Sequence, residues 1–379
     1  MKSVIYTSKG FSYSALEDLK FRVDREFGDI DLLVFAVHPE YDLELVAEDI
    51  KNLFLRDDFI IFHAIEHFND CAVVESGISV CCMKFEKKAS VSCFCLDDIN
   101  NENSIERSAN YFNKENKKFH IIYAGLCGGK IGGFIEALAE NLTYAPINNI
   151  VGGVSSGIEK DDEMQTFQYY DGRVIKNGFV VLSFDGMEAA IDVSLGFKPY
   201  GITYQITKAD GNRLYSVDDG KRFSYIANKM LSSTTQDIDV RNLWYAPLSI
   251  LSESDGYMVT LRTIEKITDD YVEFFAPLKE GEYFKLSFAT PEDLIETDKE
   301  TAQRLIKKIR KPECSLNFSC IARQYVLEDM QERELEMYAK NFRTGLFGFF
   351  TFGEIGPDKM YKQLKFYNET SLAVLMREK

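Results

Sequence analysis

The chain has 379 residues, 45% hydrophobic and 13% aromatic, enough for two domains with large cores and far from the composition of low-complexity disorder. Against 44 Lys and Arg stand 60 Asp and Glu, and the resulting net charge of −16 repels phosphate backbones and anionic lipid headgroups. Nucleic acid and membrane surfaces are therefore not expected partners. The opening MKSVIYTSKGFSYSALEDLKF carries charge throughout and lacks the apolar stretch of a secretion signal. Without an export signal, the eight cysteines read as reduced thiols of a cytoplasmic protein.

Apolar runs of strand length alternate with amphipathic stretches of helix length. Strands are expected at 4–7 and 31–37 with a helix at 14–27 between them, then a helix at 43–55 and a strand at 59–65. Two hairpin-like stretches follow: CAVVESGISVCCMKF, with a turn at Glu75-Ser76-Gly77, and ASVSCFCL. A helix at 105–114 leads to a buried strand at 120–124, the glycine-rich run 125–133, a helix at 134–142 and the strand-like NNIVGGVSS. TFQYYDGRVIKNGFVVLSF reads as strands joined by turns at Asp171-Gly172 and Asn177-Gly178, and Asp210-Gly211 marks a further turn. Helices are expected at 221–231, at 291–309 behind a Thr290 cap and Pro291, and at 327–341. Strands at 257–262, 271–275, 283–288, 317–323, 348–352 and 366–375 complete the series. The sum is a mixed α/β (α+β) chain whose sheets, rich in antiparallel pairings and flanked by helices, build two related or intertwined halves of a layered sandwich. The halves are expected at 1–220 and 221–379, the boundary falling within 216–235.

Several motifs suggest chemistry that their surroundings do not support. Gly153-Val154-Ser155-Ser156-Gly157 has the G-x-S-x-G spacing of a nucleophile elbow, but all four histidines precede Ser155, whereas the general base of that fold follows its serine. His63-Ala64-Ile65-Glu66-His67 has the H-x-x-E-H spacing of a zinc site, yet that logic needs a helix and these residues read as strand, so neither metal nor cofactor is expected. Gly128-Gly129-Lys130 lies between strand and helix as a phosphate loop would. Ala124 and Ile131, however, replace the glycine and the hydroxyl such a loop needs, and the glycines are read as letting the backbone turn or approach a ligand. Cys93 and Cys95 share a strand face and read as core, while Arg323 near Cys320 would favour a thiolate there.

The run Gly348-Phe349-Phe350-Thr351-Phe352-Gly353-Glu354-Ile355, followed by Phe366-Tyr367-Asn368-Glu369-Thr370, closely resembles the GFYTYGEI…N-x-T signature of FIST C-terminal domains. Ser319-Cys320-Ile321-Ala322-Arg323, the helix with Glu332 and Glu334, Glu280-Gly281 and Arg262 are similar to further features of that domain. In the N-terminal half, DLLVFAVHP, IVGGVS with Gly152 and Gly153, YYDGRVIKNGFVVLSF and LGFKPYGITYQITKADGNRLYSVDDG resemble FIST N-terminal blocks. One segment departs: FHAIEHFND replaces the family's G-c-S-T-x-G-E turn.

The resemblance implies a sensory module for small metabolites such as amino acids, acting through a downstream signalling protein and not as an enzyme. Its residues imply a pocket lined by Cys320, Arg323, Gly353, Glu354, Asn368, Thr370, Gly152 and Gly153. Arg323 would clamp a carboxylate with its planar fork, Glu354 would accept an ammonium group, and Asn368 and Thr370 would supply neutral hydrogen bonds. The alternatives are a protein-binding scaffold, in which Arg323 and Glu354 pair within the core, and a thiol-dependent hydrolase or transferase using Cys320.

Overall fold

The computed structural model describes residues 1–142, 147–231, 240–253, 256–360 and 363–379. Its architecture follows from alternation, because successive side chains on a strand face opposite ways. In strands Leu32–Val37 and Phe59–His63 both sets are buried, so each strand needs cover on both sides. Val34, Ile60 and Phe62 enter one core, and Leu33, Phe35 and Ile61 enter another. The same division recurs in Phe119–Ala124 and Phe179–Asp185, where Tyr123 and Leu182 share the first core and Ile122 and Val181 face away. It recurs again in Cys314–Cys320, Leu346–Thr351 and Ser371–Glu378, with Phe318, Phe349 and Val374 inward and Phe350 and Leu375 outward.

Three six-stranded sheets thus enclose one common core. The rings of Phe62, Tyr123 and Phe349, one from each sheet, meet there with centroids 4.6 Å apart for Phe62–Tyr123 and 4.6 Å for Phe62–Phe349. The outer face of the first sheet is covered by α1 (Ser12–Glu26) and α2 (Leu43–Phe54), and that of the second by α3 (Ser104–Lys114) and α4 (Ile131–Glu140). A fourth, eight-stranded sheet buries its own apolar face beneath α5 (Phe223–Leu231). The third sheet lies under α6 (Pro291–Lys308) and, beyond the short α7 (Ala322–Leu327), under α8 (Gln331–Phe342). Thr290 caps α6 in a capping box with Asp293, and Pro291 opens its first turn, as the sequence predicts.

Strands from either side of residue 220 pair in three of these sheets. Glu354–Pro357 lies beside Ile150–Val154, Ser371–Glu378 beside Met187–Ser194, and Tyr283–Phe288 beside Lys198–Asp210. The mixed α/β class with abundant antiparallel pairing is as expected, and the halves are intertwined. Residues 232–235 of the expected boundary stretch lie outside the described residues.

Four local expectations are corrected. Glu75-Ser76-Gly77 joins Ala72–Val74 to Ile78–Lys84, but these strands belong to different sheets and form no hairpin. Asn177-Gly178 likewise passes the chain between sheets, whereas Asp171-Gly172 and Asp210-Gly211 do close hairpins. The strand expected at 317–323 ends at Cys320, and Arg323 sits on α7. The strand expected at 366–375 is two, Leu364–Tyr367 and Ser371–Glu378, broken where Glu369 adopts φ +56° and the chain crosses from the second sheet to the third.

Arg262, at the end of strand Met258–Arg262, ties the fourth sheet to the rest. Its buried guanidinium pairs with Glu136 of α4 and donates to the carbonyls of Pro277 at 2.8 Å and Phe366 at 3.0 Å. A buried charge can stay ionised only when paired and hydrogen-bonded. Removing one partner of such a pair costs about 3–5 kcal/mol. Urea unfolding of Arg262→Met is expected to show a loss of that size, part of which is recovered when Glu136→Gln removes the stranded carboxylate.

Candidate ligand-binding site

The glycine-rich run between strand Phe119–Ala124 and α4 makes one wall of a cleft. Cys127, Gly128 and Gly129 take φ of +53°, +62° and +80°, a left-handed path that glycine adopts freely and cysteine only under strain. A Cβ added at Gly128, Gly129 or Gly133 would meet no atom within 4 Å, so these glycines border open space. Among the described residues no side chain caps the N-terminus of α4, and its first-turn N–H groups begin at the cleft wall formed by Lys130, Ile131 and Gly133.

The opposite wall comes from the fourth sheet and its loops: Gly211 and Asn212 in a hairpin turn, Thr263, Glu265, Phe275, Pro277, and Trp244. Trp244 is held edge-on to Tyr325 at 4.7 Å and to Phe275 at 6.2 Å. Cys320, Ile321, Ala322, Phe352, Phe366 and Asn368 complete the lining of a cavity of about 830 Å³. Its surface is largely apolar and aromatic. Lys130, Asn212, Thr263, Glu265 and Glu273 add polar groups at its walls, and among the described residues two buried atoms have no hydrogen-bond partner: Oδ1 of Asn368, a residue 2% exposed, and the indole N–H of Trp244. Buried polar atoms are normally satisfied, so such orphans in a cavity wall suit a bound molecule.

Of the residues read from the sequence as site residues, Cys320 and Asn368 line this cleft, and the other six do not. Arg323 is fully buried on α7, its Nη2 2.7 Å from Asp298 and 3.4 Å from Glu334. The expected pair of Arg323 and Glu354 on neighbouring strands facing a cavity is thus corrected: the guanidinium is held by two carboxylates of α6 and α8. Glu354 accepts hydrogen bonds from Thr351 and, at 2.6 Å, from Thr370 Oγ1, which places Thr370 in the same enclosed cluster. The glycines serve packing. A Cβ at Gly152 would stand 2.1 Å from the Ile122 carbonyl oxygen, one at Gly153 2.6 Å from Thr351, and one at Gly353 2.2 Å from the Phe366 ring. Gly353 therefore shapes the cleft at one remove, by admitting the ring that lines it. Cys320 is not a thiolate: burial, then Glu354 and Glu369, push its thiol well above the usual range.

The sequence matches the FIST N domain over residues 31–220 and the FIST C domain over residues 225–357. The chain belongs to the FIST family. FIST domains are sensory, ligand-binding signalling domains. An uncharacterised protein of Aquifex aeolicus (strain VF5) is 31% identical over 265 residues, 68% of this chain and 97% of that protein. Among solved structures, a cyanuric acid hydrolase aligns over 100% of both chains with a TM-score of 0.37. A second, from A. caulinodans, covers 100% of this chain and 99% of its own with a TM-score of 0.35. Both are 8% identical to this chain, and neither likeness bears on its chemistry.

The segment that departs from the FIST pattern, residues 62–70, lies away from the cleft. His67–Asn69 forms a strand beside Leu346–Thr351, and Glu66 bonds Gln324. His63 and His67 sit on two different strands, not on one helix face, and Ser155 follows the strand Ile150–Val154, its hydroxyl accepting from the Gln168 amide at 2.9 Å. Cys93 and Cys95 are half-buried beside the shared core. Among the described residues no helix is long and apolar enough to cross a membrane. Of the FIST cleft residues not read from the sequence as site residues, Gly128, Gly129 and Gly133 carry the clearest signal, as glycines between a strand and a helix.

Burial raises Glu354 and Glu369 from 4.5 to about 8, against the hydrogen bonds of Thr351 and Thr370 for the first and Thr263 for the second. Each carboxyl therefore keeps its proton in the folded protein over a range where the unfolded chain has lost it. The contribution of these two carboxyls to stability falls as pH rises from 4.5 toward 8, because over that window they bind more protons in the folded state than in the unfolded one. His63, His67 and His120, lowered by burial from 6.5 to about 4, 3 and 4, contribute in the opposite sense below 6.5, so the carboxyl effect stands alone only between 6.5 and 8. Calorimetry between pH 6.5 and 8 is expected to show the melting temperature declining, with a shallower decline for Glu354→Gln.

Proposed function

We propose that this FIST protein is a cytoplasmic sensor that binds an amino-acid-like metabolite in the cleft and signals through a partner protein, without catalysing a reaction. One observation carries the reading: a largely apolar cavity lined by two buried residues, Asn368 and Trp244, each with a polar atom that has no partner among the described residues. Its volume of about 830 Å³ suits a small metabolite, since such sites run to roughly 300–1,000 Å³. The uncapped N-terminus of α4 favours an anionic group such as a carboxylate, through its free N–H groups and the helix dipole. Asn368 Oδ1, across the cleft floor, accepts from a donor such as an ammonium group. The aromatic walls at Trp244, Phe275 and Phe366 suit an apolar body between the two ends.

Signalling fits where the cleft lies. Its walls belong to the fourth sheet on one side and to α4 on the other, so a ligand touching both changes how firmly they are held together. A ligand can shift such an equilibrium only by its difference in affinity between the two states.

Gly133 is the place to test this, since it lines the cleft and a Cβ there would meet no atom within 4 Å. In a thermal-shift screen of amino acids and related metabolites, the wild-type chain is expected to be stabilised by at least one compound. In Gly133→Leu that shift is expected to vanish, while the ligand-free melting temperature stays equal or rises, because replacing a helical glycine recovers about 0.5–1 kcal/mol. A shift that survives the substitution would place the ligand elsewhere.

A further inference from the structure

Strand Ile264–Ile267 pairs with Val272–Phe274 in the fourth sheet, at the cleft wall. The pairing is irregular: Ile264 lies opposite Phe274 and Lys266 opposite Glu273, which leaves Glu265 as the extra residue of a bulge. A bulge re-aims the side chain it carries, and bulges gather beside functional sites. Glu265 lines the cleft and is exposed. Among the described residues its carboxyl has no ion pair and no hydrogen bond. Its wall neighbour Glu273 differs, since Arg213 donates to it at 2.9 Å. Trp244 and Phe275, edge to face with centroids 6.2 Å apart, stand on the same side of the cavity. On the other side Lys130 donates to Asn100 at 3.1 Å, beside the uncapped start of α4. The cleft is thus polar from wall to wall, with helix amides and an ammonium facing an open carboxylate among aromatic rings.

Building on the reading of the cleft as a metabolite site, we infer that Glu265 and the rings of Trp244 and Phe275 form an ammonium subsite on the fourth-sheet wall, which selects amine-bearing ligands and sets their orientation. Ring faces attract ammonium groups through their quadrupole, and a carboxylate adds a charge-assisted hydrogen bond. Apolar surroundings strengthen both, because they exclude the water that would screen them. Nothing has to open for an amine to arrive, since the Glu265 side chain is exposed. Partial burial, then Glu273, push the Glu265 carboxyl above the usual carboxylate range, and Lys266 offsets this only in part. A ligand cation supplies the counter-charge that Arg213 gives Glu273. A zwitterion accordingly lies across the cleft, its carboxylate toward the start of α4 and its amine toward the sheet.

The test uses phenethylamine, which carries the ammonium without a carboxylate, and 3-phenylpropanoate, which carries the reverse. Trp244 is the chain's single tryptophan, so its emission, excited where phenyl rings do not absorb, reports binding beside it in the full chain. At neutral pH phenethylamine is expected to bind and change that emission, and 3-phenylpropanoate to bind more weakly. Glu265→Gln is expected to weaken phenethylamine about tenfold or more, the scale of a lost hydrogen bond to a charged group. The same substitution leaves 3-phenylpropanoate as it was or tighter, and Glu265→Lys reverses the order of the two probes. Both changes fall on an exposed side chain, and the ligand-free melting temperature is expected to stay that of the wild type. Glu273→Gln, at a carboxylate already paired, is expected to change the amine's affinity little, which separates a local subsite from the general field of a chain of net charge −16. Phenethylamine that does not bind, binds no better than 3-phenylpropanoate, or keeps its affinity in Glu265→Gln would each overturn the subsite. If the amine fails while a metabolite from the screen still binds in a way that Gly133→Leu blocks, the subsite falls and the cleft reading stands; if Gly133→Leu blocks nothing, the cleft reading falls as well.

Discussion

The cleft exists because one guanidinium holds its walls at a fixed spacing. Arg262 leaves the fourth sheet, crosses to Glu136 on α4, and on the way bonds the carbonyls of Pro277 and Phe366. Pro277, Phe366 and the first turn of α4 are all wall residues of the cavity. Arginine suits this place better than lysine, since its planar fork serves several acceptors at once, whereas an ammonium acts as a point charge. The glycine-rich loop, the aromatic wall and the Asn368 floor depend on that tie for their mutual positions. Without it the charged link to α4 would fall to Lys279, which is half-exposed where it meets Glu140.

Behind the floor the chemistry is of another kind. Asp298, Glu334, Glu354 and Glu369 are fully buried around Arg323, four acids for one base. Charges can be held there only by sharing protons and hydrogen bonds, and burial accordingly raises Asp298 to about 7 and Glu354 and Glu369 to about 8. Tyr338 donates to Asp298 at 3.0 Å and Ser319 to Glu334 at 2.7 Å, which fixes these groups between α6, α8 and the third sheet. The signature residues of the C-terminal half therefore divide their roles. Arg323, Glu354 and Thr370 organise the interior, while Cys320 and Asn368 reach its surface.

Much of the fold was legible because its strands are short, apolar and punctuated by turns, and because the cap and first-turn proline of α6 are local signals. Pairing was less legible. Nothing local distinguishes Asp171-Gly172, which closes a hairpin, from Asn177-Gly178, which passes the chain to another sheet. The site was half legible for a related reason. Motif glycines look alike in sequence, yet Gly152, Gly153 and Gly353 admit neighbouring atoms whereas Gly128, Gly129 and Gly133 admit open space. Arg323 was misplaced because the strand ends three residues before it, and a helix turns its side chain into the acid cluster. That Glu369 lies inward could not be read from periodicity, since the break that directs it is a left-handed residue between two sheets.

Strand Ser371–Glu378, though late in chain order, does not sit at an edge. It is flanked by Met187–Ser194 on one side and Cys314–Cys320 on the other, and it contributes Leu372 and Val374 to the core shared by three sheets. During synthesis, then, the core between those sheets stays incomplete until this strand has emerged, and the core-facing side chains of earlier strands wait uncovered. Pairings of such long sequence separation form slowly, and the waiting chain is prone to aggregation. The first sheet, complete by Ile175, and the fourth, complete by Phe288, can form in chain order, whereas the core shared by three sheets closes only with this last strand.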